Sequence, residues 1–156
     1  MTKPIPDGFH SLTPHIVVPD GAHAIEFYKK AFGAHEIFRM LAPDGKSLMH
    51  AQLKIGDSVL MLGGEFGPDC RSPKGYGGTS VFLHIYTDHA DALFDRAVKA
   101  GCTVHMPMAD AFWGDRYGQL EDPFGHKWSI AAHQHDLTPE QMAANAKEFF
   151  AKMPQH

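Results

Sequence analysis

DAFWGDRYGQLEDPFGHKWSIA, residues Asp110–Ala131, decides how the rest of the chain is read. Two aromatics and a Gly-Asp-Arg-Tyr-Gly turn open it, a Gln-Leu pair follows, and Asp122-Pro123-Phe124-Gly125 leads into an apolar run. Proline presets φ at one turn position and glycine permits positive φ at another, so Asp122–Gly125 reads as a tight turn. Lys127–Ala131 then alternates with the period of a half-buried strand. The stretch predicts a loop, a strand near Gly118–Glu121, a turn and a last strand over Lys127–Ala132. Phe112, Trp113, Arg116 and Tyr117 are candidates for the rim of a ligand pocket.

Worked outward, the stretch proves to be half of a repeat. Gln119-Leu120 follows Gln52-Leu53 by 67 positions, Gly101 follows Gly33 by 68, Asp88 follows Asp20 by 68, and His84-Ile85 follows His15-Ile16 by 69. The first copy predicts a strand at Ser11–Val18, then a helix over Ala22–Phe32 capped by Asp20 and stopped by Gly33. Strands at His35–Leu41, Ser47–Ile55 and Ser58–Leu62 complete it. The second predicts a strand at Ser80–Tyr86 and a helix over His89–Ala100 capped by Asp88 and stopped by Gly101. Ala90, Leu93, Phe94, Ala97 and Val98 are that helix's buried face. A strand at Thr103–Met106 and the two of the opening stretch follow. Gly63–Gly78, rich in Gly and Pro and without periodicity, predicts a linker or lid. Thr138-Pro139-Glu140-Gln141 is a capping box, so a terminal helix over Pro139–Lys152 is expected, with Met142, Ala146, Phe149 and Phe150 as its apolar side.

The expected fold class is therefore α+β: two βαβββ modules in tandem forming a concave mixed sheet, helices on the outer face, plus a C-terminal helix. The division is a tail at 1–10, a two-module domain at 11–135 (modules about 11–62 and 79–133, linker 63–78), and a helix and tail at 136–156. Each helix covers one face of its sheet, so two sheets side by side leave their free faces as one concave surface. Alternation places Leu12, Ile16, Val18, Val81, Leu83 and Ile85 under the helices. It puts Thr13, His15, Val17, Ser80, Phe82, His84 and Tyr86 on the open face. Val59, Met61, Gly63, Lys127, Ser129 and Ala131 belong there too, as do His50 and Gln52. His15 and His84 occupy equivalent places near its centre.

With 156 residues, 44% hydrophobic and 21% charged, the chain suits one domain or two small modules sharing a core. A net charge of −4 without a basic cluster argues against nucleic-acid or anionic-membrane partners. No apolar run approaches the ~20 residues of a membrane span, and MTKPIPDGFH lacks a secretory signal's apolar core. Cys70 and Cys102 read as free thiols, and the cytoplasm is the expected compartment. The twelve histidines are dispersed, with no HExxH or CxxC motif; His10, His23, His35, His89, His133, His135 and His156 read as surface residues.

Three groups of phrases carry a family likeness: Ala24-Ile25-Glu26-Phe27-Tyr28 with Phe32-Gly33-Ala34; Ile55-Gly56-Asp57-Ser58 with Leu60-Met61-Leu62; and Phe112–Gly118 with Asp122–Trp128. By these the chain resembles the vicinal oxygen chelate superfamily, which includes glyoxalase I, bleomycin-resistance proteins and extradiol dioxygenases. The PhnB-like branch is the nearest likeness. The resemblance implies metal ligands at one position on each of four strands, here Thr13, Met61, Phe82 and Ser129. A divalent ion wants imidazole nitrogen or carboxylate oxygen there, so no metal and no cofactor are expected. A displaced divalent metal at His15 and His84, with Glu65 or His50 as a third ligand, is the alternative. The resemblance further implies a homodimer with pockets near module interfaces. Phe149 and Phe150 would then clasp a partner chain or pack within their own.

Two functions compete. One is a metal-independent small-molecule binding protein whose pocket is lined by Thr13, His50, Met61, Phe82, Trp113, Arg116, Tyr117 and Ser129. The other is a lyase, isomerase or transferase in which His15 or His84 is the general base and Arg116 holds an anionic group. A purely structural role ranks third.

Overall fold

The computed structural model describes residues 1–155; the surface expectation for His156 lies outside the described residues. The first module is β1 (His15–Val18), α1 (Gly21–Phe32), β2 (His35–Leu41), β3 (Leu48–Ile55) and β4 (Ser58–Gly64). A short helix, α2 (Pro73–Tyr76), interrupts the connection to the second module. That module is β5 (Phe82–Tyr86), α3 (Ala90–Ala100), β6 (Thr103–Asp110), β7 (Asp115–Glu121) and β8 (Lys127–His133), with α4 (Pro139–Ala151) after it. The tandem βαβββ fold is thus as expected. The sheets run β1-β4-β3-β2 and β5-β8-β7-β6, with β1–β4 and β5–β8 parallel and the remaining pairs antiparallel.

Local chemistry fixes most boundaries. Asp20 accepts a hydrogen bond from His23 N at 3.2 Å, and Gly33 ends α1 at φ 67°, where a side chain would be strained. At α3 the expectation fails. His89 holds the N-cap position without a side-chain bond, while Asp88 accepts from the His89 ring at 2.7 Å. Asp91, inside the first turn, faces the positive helix end instead. Val98 lies half out of the α3 face. The first strands of both modules are shorter than expected, so Leu12 and Val81 lie outside them and are 90% and 61% exposed. Val59, Ser129 and Ala131, placed on the open face, are buried. The Gly63–Gly78 connection is built rather than loose: Glu65 accepts from Ser72 N and Oγ (3.0 and 2.7 Å), and Ser72 and Pro73 are buried.

The modules share one core. Tyr28 and Phe32 of α1 pack on Trp128 of β8 (centroids 5.6 and 4.3 Å apart), and Phe27 meets Phe124 at 5.6 Å. Each such large side chain contributes ~1.5–3 kcal/mol by leaving water. Asp122, 3% exposed, organises the junction. Its Oδ1 accepts from Phe124 N and His126 N, and its Oδ2 from Tyr28 OH (2.6 Å) and Trp128 Nε1 (2.9 Å). Burial, followed by the facing Asp122 carboxylate, holds the Tyr28 phenol well above its usual range. Arg96 of α3 donates to the carbonyls of Lys30 and Lys29 at the end of α1. The modules therefore meet through α1, α3 and the Asp122 turn. β1 and β5 are each an edge of a separate four-stranded sheet, with no backbone pairing between them.

The terminal capping box forms as expected, Thr138 accepting from Gln141 N and Gln141 Oε1 from Thr138 N. α4 buries no residue, yet Phe149 and Phe150 touch Phe112 at 5.4 and 6.0 Å, and Asn145 Nδ2 donates to Phe112 O.

Candidate functional site

The registers turn the sequence repeat into two rows of side chains. On the first sheet His15 pairs with Met61, Met61 with Gln52 and Gln52 with Phe38. On the second His84 pairs with Ser129, Ser129 with Gln119 and Gln119 with Met106. Cross-strand partners share a face, so each sheet carries a histidine row at its open surface.

The first row is sparsely covered. Gly63 of β4 has no side chain, and the His15 ring leans over it: a Cβ there would lie 3.6 Å from His15 Nε2. The imidazole reaches His50 of β3, ring centroids 5.6 Å apart. Burial, and then the neighbouring His50, lower the basicity of His15. His50 Nε2 lies 3.3 Å from Gln52 Nε2, and Phe38 stands 6.5 Å from the His50 ring.

The second row is filled and polar. His84 Nδ1 lies 2.6 Å from Ser129 Oγ, which anchors that ring nitrogen; Nε2 has no hydrogen-bond partner among the described residues. Tyr86 packs on the His84 ring at 4.4 Å, Tyr117 stacks on it at 6.0 Å, and Trp113 meets Tyr117 edge-on at 5.0 Å. Asp115 lies beneath, 3% exposed, accepting from Trp113 Nε1, Tyr86 OH and His133 Nδ1 at 3.1, 3.3 and 2.8 Å. Burial lowers His84 below ordinary histidine, against the opposing pull of Asp115, so its neutral form is favoured. His133 bridges Asp136 and Asp115 through both ring nitrogens, which raises it. Tyr86 stands on the open face as alternation expects, whereas Asp115 and His133 are absent from the sequence-derived site. Strand parity from Tyr117 through Asp115 was the signal that could have found them.

Arg116 does not join this face. It alternates against Tyr117, and its guanidinium pairs with Asp91 of α3 (3.0 Å) and Asp110 (3.4 Å) on the helix side. The anion-holding role expected of it has no geometry here. Thr13 lies before β1 and donates to His10 O at 2.9 Å. Thr13, Phe82, His84 and Tyr86 line a crevice of about 710 Å3 along the free edge of β5, with Leu60, Leu83, Ile85, Leu93 and Trp128 as apolar walls. Lys127 Nζ sits 5.6 Å from the Phe82 ring.

The family's divalent metal does not fit these residues. A hydroxyl already donating to a carbonyl, a thioether, a phenyl ring and a buried hydroxyl bonded to His84 stand at the four positions. The displaced set does not assemble either. His15 sits with His50, His84 lies in the other sheet, and Glu65 is taken by Ser72. Among the described residues no three of His, Cys, Asp and Glu come together around a possible ion. Cys70 and Cys102 are unbridged, and burial pushes the Cys102 thiol up to about 12.

A family model described as the Glyoxalase/Bleomycin resistance protein/Dioxygenase superfamily matches residues 8–130. The chain belongs to that superfamily. It is 43% identical over 138 residues to the uncharacterized protein Rv0887c of Mycobacterium tuberculosis, covering 86% of this chain and 81% of that one. An Arabidopsis thaliana gene product, At5g48480, has a similar solved structure (TM-score 0.64, 26% identity, 79% of this chain and 98% of that chain). TioX from Micromonospora sp. ML1 shares the fold (TM-score 0.63, 24% identity, 83% and 100% covered). So does the fosfomycin resistance protein FosX of Listeria monocytogenes, solved with Mn(II) and sulfate (TM-score 0.62, 16% identity, 88% and 97% covered).

Proposed function

We propose that this protein binds a small molecule between its open sheet faces, without the four-position divalent metal used elsewhere in its superfamily. The observation that carries the reading is the row at Ser129. Where a carboxylate would be needed, a buried serine hydroxyl orients His84 beneath Tyr86, Tyr117 and Trp113. Aromatic walls with a few fixed polar groups are the makeup of an organic-ligand pocket. The phrases at Phe112–Gly118 and Asp122–Trp128 favour the PhnB-like branch.

The working unit is a homodimer. β1 and β5 carry free edges, and Ile37, Phe38, Met40, Val104 and Met106 leave apolar surface exposed on β2 and β6. A second copy that brings its first sheet beside β5 would close the crevice. Free thiols at Cys70 and Cys102 suit the cytoplasm.

A ligand screen read by thermal shift and by Trp113 fluorescence tests the reading, since a ligand of the native state raises the midpoint by mass action. Binders should lose affinity in Trp113→Ala and Tyr117→Ala while chelators leave affinity unchanged. Affinity that vanishes with chelator would sink the metal-independent reading. One observation favours an enzyme as second reading: burial lowers the basicity of His84, and in the tautomer whose Nδ1–H donates to Ser129 Oγ its Nε2 is free to act as a base. Under it, His84→Gln abolishes turnover and keeps binding; unchanged turnover removes His84 as the base.

A further inference from the structure

We propose that His15, His50, Met61 and Met40 form a site for a soft monovalent metal ion, Cu(I), on the open face of the first sheet. His15, His50 and Met61 lie around Gly63, and Met40 stands beyond His50 on the neighbouring strand β2. His15 is the cross-strand partner of Met61, and His50 of Met40, so each imidazole has a thioether beside it on the same face. Gly63 supplies the gap across β4 through which the two rings approach. Their centroids are 5.6 Å apart. Two imidazoles sharing one ion through nitrogens at ~2.0–2.1 Å have centroids roughly 5–6 Å apart.

The donors select the ion. Two neutral nitrogens and two thioethers, with no carboxylate or thiolate among them, suit Cu(I) and suit Zn(II) or Mn(II) poorly. Neither Lys, Arg, Asp nor Glu occurs at His15, Met61, Gln52, Phe38, Val17, Gly63, His50 or Met40, so no nearby charge in those rows neutralises or repels the cation. Among the described residues the His15 ring has no hydrogen-bond partner, so its lone pair is uncommitted. Gln52 sits at His50 Nε2; with its amide oxygen turned inward it accepts from that N–H and leaves Nδ1 free to ligate. Only Met61 coincides with a family metal position; the site is built from other atoms and asks for another class of ion.

The test is an anaerobic titration of the reduced full-length protein against the coloured Cu(I)–bicinchoninate complex. The wild type should withdraw one equivalent of Cu(I). His15→Ala and His50→Ala should each weaken uptake about 10–100-fold or more. Met61→Leu, close to isosteric and so expected to fold, should weaken Cu(I) uptake while leaving any Zn(II) affinity unchanged. His35→Ala and Cys70→Ser should behave as wild type, and X-ray absorption should show sulfur and nitrogen neighbours. Failure of the wild type to compete would overturn the site. So would uptake lost in Cys70→Ser and retained in His15→Ala. Ligand binding at Trp113 and Tyr117 is read separately and stands or falls without this result.

Discussion

The two modules present the same row of positions and use it differently. His15–Met61–Gln52–Phe38 and His84–Ser129–Gln119–Met106 superpose by register, histidine on histidine and glutamine on glutamine. One strand position further along, the faces part. The first has Val17 beside Gly63, and Met40 beside His50; the second has Tyr86 beside Ala131, and Ala131 beside Tyr117. A gap over glycine lets two imidazoles meet, whereas two tyrosines and Trp113 roof His84 over a buried carboxylate. The modules share the backbone row; the neighbouring row sets the chemistry of each face.

The turns differ as much as the faces, and breaking them should give the largest effect. The first module joins β3 to β4 through Gly56-Asp57 alone, while the second uses Asp122 to gather four donors. Asp122→Ala strands Tyr28 OH, Trp128 Nε1 and two backbone N–H groups, and should cost roughly 3–5 kcal/mol in urea unfolding. Asp57→Ala, exposed in the tight turn, should cost little by the same measurement.

A subtler contrast lies under the helices, at the equivalent positions Ala51 and Gly118. A Cβ on Gly118 would stand 2.7 Å from Met108 Sδ and 2.8 Å from Phe94 Cε2. Gly118→Ala should therefore destabilise by about 1–3 kcal/mol. Removing the buried methyl at the equivalent site, Ala51→Gly, should cost about 0.5–1 kcal/mol, mainly through backbone freedom. Equal effects would mean that the module cores are packed alike.

Histidines sharpen the comparison through pH. Bonds to Asp136 and Asp115 raise His133 above its ordinary 6.5, so its stabilisation is complete below that pH and lost as pH rises through the folded value. The denaturant midpoint of wild type should exceed that of His133→Gln most at about pH 5.5, and the gap should close toward about pH 8. For His84 the sign reverses: burial lowers it, so the stability linked to its neutral form is present above 6.5 and fades as pH falls. Smallest of all, Arg116→Ala removes exposed ion pairs with Asp91 and Asp110 and should change stability by about 0–1 kcal/mol. Ligand affinity should not change, because that side chain lies on the helix side.

Much of this was legible in the chain. The 67–69-residue spacing announced both modules, and Asp20, Gly33 and the Thr138 box marked helix ends by local chemistry that needs no tertiary help. What stayed hidden depended on where strands begin. With β7 expected near Gly118, its parity did not extend back to Asp115, so Arg116 was set among the pocket residues and Asp115 was not. Asp88 failed as a cap because α3 starts one residue later than the repeat suggests. Hidden too was α1 packing across the junction onto Phe124 and Trp128, a long-range contact without any local signature.

The Tyr28–Asp122 bond also bears on how a duplicated gene ages. Two identical halves can in principle be separated and still assemble as copies of one another. Here the donor lies in the first half and the acceptor in the second, with no matching pair the other way round: Arg96 of α3, set 68 positions after Tyr28, carries no hydroxyl, and Ile55 stands 67 positions before Asp122. Each half has become the other's specific complement. A chain cut between them should reassemble as one half with its unlike partner and not as either half with itself, so the ancestral symmetry can no longer be recovered by division.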